Sequence, residues 1–274
     1  MRCTEDQFPR AGRREASPAA RRWRVDIHCH CLPALDDGPV EMADSVRLCK
    51  LLVAEGVQVV VATPHQLGRY DGAYSRADIL AQLQALSAQL QAEEVPLLVV
   101  PGADIRVDER LLSLLDADVL FTLADAHEYL LLELPHDIFI DLRPLIAALV
   151  RRGITPIVTH PERHGTLQRH PEKAQSWRSL GAIFQITAGS LLGAFGPPAE
   201  EAAWRYIESG VATVVASDAH DTHARPPLLK AAYRAIGQRL GLAWADLVCL
   251  ENPRGLLPPR VLAAAEALAT EVAP

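Results

Sequence analysis

The chain has 274 residues, 49% of them hydrophobic and 22% charged, with a formal net charge of −7. This is enough apolar material for a sizeable core. The acidity, with no long basic run, leaves no footprint for a nucleic-acid backbone, and no run of about 18 apolar residues is present to cross a membrane. Five scattered cysteines without a repeated CxxC spacing exclude a disulfide framework or a thiolate zinc site.

Residues 1–22 form an Arg-rich leader, with Arg2, Arg10, Arg13, Arg14, Arg21 and Arg22 set among Pro, Ala and Ser. Such a segment buries little apolar surface and is expected to be disordered. It lacks the apolar stretch of a secretory signal, so the protein is expected to be cytoplasmic. From Arg24 onward, short β-branched runs alternate with longer amphipathic stretches, the pattern of a parallel sheet wrapped by helices. Strands are predicted at Arg24–His28, Val57–Thr63, Leu97–Ile105, Tyr129–Leu134, Ile154–His160, Ala182–Thr187 and Ala212–Ser217. Helices are predicted at Met42–Glu55, Ser75–Glu94, Ile140–Arg152, Pro171–Leu180, Ala199–Ser209 and Pro258–Val272. Gly153, Gly181 and Gly210 fall where helix C-caps are needed. No linker divides residues 23–274, so a single α/β barrel domain is expected. An open doubly wound sheet is the alternative, but the loop after the first strand is not a glycine-rich dinucleotide fingerprint, and no nucleotide cofactor is indicated.

Almost every predicted strand ends in residues able to bind a divalent metal. The first strand reads Asp26-Ile27-His28-Cys29-His30, and strand alternation points His28 and His30 the same way. The second ends at His65, the third at Asp104, the fourth at Glu133 and the fifth at His160; the last gives Asp218 and His220, again spaced by two. In a barrel these ends share the face where active sites form. A single buried His is more often a hydrogen-bonded core residue than a ligand, and that reading is kept for His127, His136, His164, His170 and His223. Two HxH or DxH pairs and six suitable strand ends are a different matter.

Imidazole and carboxylate ligands without thiolate favour zinc, manganese or iron, and there are too many for one four-coordinate ion. Clustered cations acidify water and clamp the oxygens of an in-line displacement, which phosphate-ester hydrolysis requires. Arg163 and Arg225 follow ligand candidates closely, and a guanidinium forks onto phosphate oxygens. Tyr70, in the loop after the second strand, lies either at the pocket mouth or in solvent. Cys29 and Cys31 face away from the histidines and read as small core residues. There is no Cys-x5-Arg cradle, P-loop or GxSxG elbow.

These residues resemble the PHP (polymerase and histidinol phosphatase) superfamily, and most closely its bacterial CpsB/YwqE-type manganese-dependent protein-tyrosine phosphatases. The resemblance rests on DIHCHCLPALDDGP at 26–39, ATPH at 62–65, YLLLELP at 129–135, THPERH at 159–164, ITAGSLLGAFG at 186–196 and SDAHDTHARPP at 217–227. It implies a distorted (β/α)7 TIM-like barrel and three divalent ions, manganese by the similarity, with zinc or iron compatible. By that similarity His28, His30, Asp104 and Asp218 hold the first ion, Asp104, Glu133 and His160 the second, and Asp37, His65 and His220 the third. Arg163 and Arg225 match the phosphate-binding arginines and, with His65 and Asp37, make up the catalytic set around a metal-bridging hydroxide. Position 104 is Asp where the family usually has Glu. The implied substrate is a phosphotyrosine protein, a bacterial tyrosine kinase that controls exopolysaccharide or capsule synthesis. The alternatives are a PHP phosphatase of small phosphomonoesters such as histidinol phosphate, and a non-catalytic metal-binding protein of a polysaccharide export complex.

Overall fold

The near-continuous apolar runs form strands buried on both faces, as parallel strands covered by helices must be. In chain order these are β1 (Arg24–Cys29), β2 (Val57–Ala62), β3 (His65–Gln66), β4 (Leu98–Pro101), β5 (Asp104–Arg106), β6 (Tyr129–Glu133), β7 (Thr155–Thr159), β8 (Ile183–Thr187) and β9 (Val214–Ala216). They come from a computed structural model that describes residues 23–135 and 138–271; the Arg-rich leader and His136 lie outside the described residues. All pairings are parallel, in two sheets ordered β1-β2-β4 and β3-β5-β6-β7-β8-β9.

The expected strand 57–63 therefore resumes past its end as β3 and the expected strand 97–105 is split into β4 and β5, so each of these runs is interrupted and shared between the sheets. The first breaks at Thr63-Pro64, where proline has no N–H to give to a ladder. The second breaks at Gly102, where an added Cβ would lie 2.6 Å from Val61 Cγ1, so only glycine lets the two strands approach. Past the breaks, His65 pairs with Asp104. The ring closes where β1 runs beside the end of β9: Asp218 N donates to His28 O at 2.8 Å and His30 N to Ala219 O at 2.9 Å. Taking each interrupted strand once, the result is a distorted (β/α)7 barrel.

Inside the barrel the side chains form layers. Val25, Ile27, Val59, Val61, Val100, Leu131, Ile157, Val214 and Ala216 make one buried apolar cluster with Trp23, Val261 and Ala265. Trp23 and the helix Pro259–Glu271 thus close the end opposite the site. One step further along the strands the interior turns polar: His28, Asp104, Glu133, Thr159 and Gln185 are all buried. In β1 the change needs a bulge. The register against β2 slips between Asp26 and Cys29, and the extra residue lets Ile27 and His28 both face inward.

The outer helices pack the large apolar cluster on the other side of the strands. Beyond the expected segments the chain forms a long helix at Leu229–Leu240 and short ones at Leu111–Asp116, Gly165–Arg169, Leu242–Asp246 and Asn252–Gly255. Ser75 caps its helix with a reciprocal Ser75–Asp78 capping box. Gly153, Gly181 and Gly210 take φ of +77°, +102° and +68°, as chain reversal after a helix demands. Among the described residues no helix is long and apolar enough to cross a membrane.

Candidate active site

Four strands, carrying His28, His65, Asp104 and Glu133, and the segments that follow β1, β7 and β9, carrying His30 and Asp37, His160, and Asp218 and His220, bring the predicted ligands together. His28 Nε2 and His30 Nε2 face each other at 3.2 Å, and His28 Nε2 lies 3.5 Å from Asp104 Oδ2 and 3.4 Å from Asp218 Oδ1. His160 Nε2 is 3.8 Å from Asp104 Oδ2 and 3.9 Å from Glu133 Oε1. His65 uses both ring nitrogens: Nδ1 is 3.5 Å from Glu133 Oε2 and Nε2 is 3.4 Å from Asp37 Oδ1. His220 Nε2 approaches the same Asp37 oxygen at 3.4 Å. Every residue predicted as a ligand is in this cluster.

His160 and Asp218 get there by strained backbone. Both adopt left-handed φ, +34° and +51°, which costs a non-glycine residue about 1–3 kcal/mol. Each sits just past a strand, and the left-handed residue turns its side chain back over the barrel mouth.

The hydrogen bonds around the imidazoles fix their tautomers. His28 Nδ1 donates to Gln185 Oε1 at 2.9 Å, His30 Nδ1 to Asp36 Oδ2 at 2.6 Å, and His220 Nδ1 to the Asp218 carbonyl at 3.0 Å. In each ring Nε2 is then a lone pair aimed at the centre. Two such lone pairs 3.2 Å apart, on His28 and His30, cannot bond each other, but both can bond one cation. Asp104 Oδ2 and His220 Nε2 are buried with no hydrogen-bond partner among the described residues, a costly arrangement that an ion relieves. Three groups present ligand atoms within 4.8 Å of one another: His28, His30 and Asp104; His65, Asp104 and Glu133; and His30, Asp37, His65 and His220. The donor set fits divalent cations. A fourth group, Asp118, Asp125 and His127, is more exposed, and Arg76 pairs with both of its aspartates.

The charge balance agrees. Burial and the neighbouring imidazoles hold His30 well below its ordinary value, and burial with the nearby Arg163 takes His160 down to about 3. Both rings are neutral near pH 7. Burial, with Asp104 beside it, pushes the Glu133 carboxyl up to about 8, against the pull of Arg106. Burial also works against Asp218, yet His28 and the guanidiniums of Arg163 and Arg225 keep its carboxyl well below the usual range.

Above the cluster is a cavity of about 200 Å³, walled by Arg69, Tyr70, Arg106, Arg163 and Arg225. Arg163 and Arg225 both donate to Asp218 Oδ2. Tyr70 lies flat on His65, with ring centroids 5.5 Å apart and planes 6° apart, and so belongs to the mouth of the pocket. Cys29 and Cys31 are fully buried, as expected of core residues. His164 is buried too, accepts from Thr166 N, and has Nε2 3.4 Å from Ile138 O.

Sequence reasoning missed several contributors. Asp36 accepts from the His30 ring, from His65 N at 2.9 Å and from Gly38 N at 3.0 Å; it neighbours Asp37, and the pair carries no sign of which aspartate faces in and which supports. Gln185 was hidden because β8 ends without a ligand-type residue, although its inward register on β8 was a usable signal. Arg106, whose Nη2 is 2.9 Å from Glu133 Oε2, follows Asp104 by two and so shares its face. Asp26, with a carboxyl raised by burial to about 6, accepts from Ser217 N and Oγ and ties β1 to the end of β9.

Known proteins share this architecture and sequence. The family model described as "Capsular polysaccharide synthesis, CpsB/CapC" matches residues 24–258. The tyrosine-protein phosphatase YwqE of Bacillus subtilis is 34% identical over 211 residues, which is 73% of this chain and 79% of that one. The tyrosine-protein phosphatase CpsB of Streptococcus pneumoniae is 26% identical over 246 residues, 87% of this chain and 100% of that one. A crystal structure from work on YwqE and CpsB, described as unique metal-dependent tyrosine phosphatases, superposes with a TM-score of 0.80 at 33% identity, covering 85% of this chain and 94% of the other. The chain belongs to the CpsB/CapC family of capsular polysaccharide synthesis.

Proposed function

We propose that the protein is a metal-dependent phosphomonoester hydrolase, a protein-tyrosine phosphatase whose substrate is a phosphotyrosine-bearing bacterial kinase of exopolysaccharide or capsule regulation. The observation that carries this is the meeting of the His, Asp and Glu cluster with two arginines at one pocket: the cluster suits divalent cations, and the arginines suit the phosphate such cations would act on. Relatives named tyrosine-protein phosphatases supply the substrate class.

The ion-binding assignment is His28, His30, Asp104 and Asp218 for one ion, Asp104, Glu133 and His160 for a second, and Asp37, His65 and His220 for a third. Manganese is the proposed ion at each. The three overlapping ligand groups support that count. Bound divalent cations supply Lewis acidity, bringing the pKa of a water from 15.7 toward about 7 and neutralising charge on the phosphoryl oxygens. The rest falls to the chain. Arg163 and Arg225 engage phosphate oxygens, His65 and Asp37 line the floor beneath them, and Asp36 and Gln185 hold His30 and His28 in the tautomers that keep Nε2 free. Tyr70 forms a flat apolar wall beside the space that an aryl leaving group would occupy.

The test is turnover by the purified protein with manganese on p-nitrophenyl phosphate, a phosphotyrosine peptide and histidinol phosphate. The phosphotyrosine peptide is expected to be preferred, with activity lost on chelation and in His28→Ala and Arg225→Ala. Activity that survives both substitutions and chelation refutes the site. Preference for histidinol phosphate moves the substrate to small molecules, and no turnover at all in metal-loaded protein leaves a binding role.

A further inference from the structure

Residues 188–196 follow β8 and offer no metal-ligand candidate, yet the segment is tightly tethered. Ser190 Oγ donates to Glu162 Oε1 at 2.7 Å, and Thr187 N donates to the same oxygen at 3.0 Å. Glu162 is fully buried and adjoins Arg163, so the loop is fastened to the turn that carries this arginine. Past the 3-10 turn Ser190–Leu192, Gly193 takes φ +78° and Ala194 N returns to Gly189 O at 3.0 Å. The reversal seats Phe195 against Gly189, where an added Cβ would lie 3.3 Å from Phe195 Cε2. The loop is built around that ring.

The ring faces the two arginines of the pocket. Arg163 Cζ is 4.4 Å from its centroid and Arg225 Cζ is 5.9 Å away. These guanidiniums come from different turns, carry like charge and converge on the same Asp218 oxygen. Bringing two long cations to one point costs rotamer freedom and Coulomb repulsion. An aromatic face attracts both without offering a hydrogen bond that would compete with phosphate.

We propose that Phe195 is a positioning residue that holds Arg163 and Arg225 side by side, so that together they grip one phosphate group. The proposal rests on the reading of this pocket as a phosphomonoester site. The ring lies against the two arginines rather than a candidate metal ligand, so its removal weakens the grip on phosphate while leaving metal content intact.

The measurements are the affinity of the manganese-loaded protein for inorganic phosphate, by calorimetry, and kcat and KM on a phosphotyrosine peptide. Phe195→Leu keeps bulk and removes the aromatic face; it is expected to weaken phosphate binding about tenfold and to lower kcat/KM, while Phe195→Tyr stays within about twofold of wild type. In a protein already carrying Arg163→Gln and Arg225→Gln, Phe195→Leu is expected to cost nothing further, since the ring acts through those side chains. A role in mere packing predicts the opposite: leucine rescues, or the loss persists without the arginines, and either result overturns the proposal. Should Phe195→Leu fold poorly, replacing Phe195 with difluoro- and trifluorophenylalanine preserves shape while weakening the ring face. Phosphate affinity that falls stepwise along that series supports the proposal, and a flat series overturns it. Wild type that binds phosphate but turns over no phosphomonoester refutes the hydrolase reading alone, because the binding series still decides the role of Phe195.

Discussion

Around Ile27, Val61, Leu131 and Ile157 the barrel interior is apolar; one layer further along the barrel it is filled with imidazoles and carboxylates whose lone pairs point at one another. The two layers are built by the same strands and differ in what they do for the fold. Each apolar side chain of the lower layer stabilises the folded state by about 1.5–3 kcal/mol. The upper layer opposes folding, because buried charges cost several kcal/mol apiece unless a counter-ion compensates, and because His160 and Asp218 hold left-handed backbone. The lower layer and the helix-facing core supply the stability that the site consumes. It follows that damage to the lower layer should lower stability and spare chemistry, and that damage to the upper layer should do the reverse.

The most direct way to break this contrast is a pair of truncations one layer apart. His28→Ala removes a lone pair shared among His30, Asp104 and Asp218, and is expected to lower phosphatase activity by more than about 100-fold, the upper range for losing only an outer partner of a metal ligand. Its melting temperature without metal should hardly fall. Ile157→Ala empties a fully buried site, and is expected to cost about 2–5 kcal/mol of stability with kcat per folded molecule unchanged. Thermal unfolding and kcat on the same samples decide. If His28→Ala unfolds the metal-free protein as Ile157→Ala does, the division of labour is wrong.

Asp36 sharpens the contrast, since it belongs to the upper layer without being a ligand candidate. Its carboxylate fixes the His30 tautomer and the His65 backbone together. Asp36→Asn keeps the shape but can present an N–H to His30 Nδ1, which favours the tautomer with its proton on Nε2. Manganese affinity, measured by titration, is expected to drop about 10–100-fold. An unchanged affinity would reduce Asp36 to a loop tether.

The lower layer was legible from sequence because apolar runs and glycine punctuation report burial directly. The convergence of the ligand candidates was legible as well, because six strand ends bearing His, Asp or Glu meet on one face of a barrel. What escaped depends on tertiary placement. The bulge that turns both Ile27 and His28 inward exists only against the register of β2. Pro64 and Gly102 are visible in the sequence, but that they split two strands between two sheets follows from the close approach of Gly102 to Val61. Asp36 and Asp37 look alike until one faces the His30 ring and the other His65 and His220. Gln185 and Phe195 have side chains with many uses, and only their neighbours say which one applies.

The smallest effect concerns protons, and it separates the layers by pH. Glu133 is raised from 4.5 to about 8 by burial and by Asp104, so near neutrality the metal-free protein holds a proton there that a cation must displace. Metal affinity is therefore expected to climb as pH rises, by up to about tenfold per unit, and to level off above about pH 8. His160, lowered to about 3, adds nothing over that range. The same shift carries a stability sign: a group whose pKa rises on folding favours the folded state below 4.5, and that contribution is lost as pH rises through about 8. Metal-stripped protein should accordingly lose stability across this window, whereas manganese-loaded protein, with Glu133 already ionised, should not. Calorimetry at pH 7 in two buffers of different ionisation enthalpy should report close to one proton released from Glu133 on metal binding, and none from that position in Glu133→Gln. Arg106→Ala removes the guanidinium 2.9 Å from Glu133 Oε2 and should move the whole profile to higher pH; a profile that stays in place would assign the proton to another member of the upper layer.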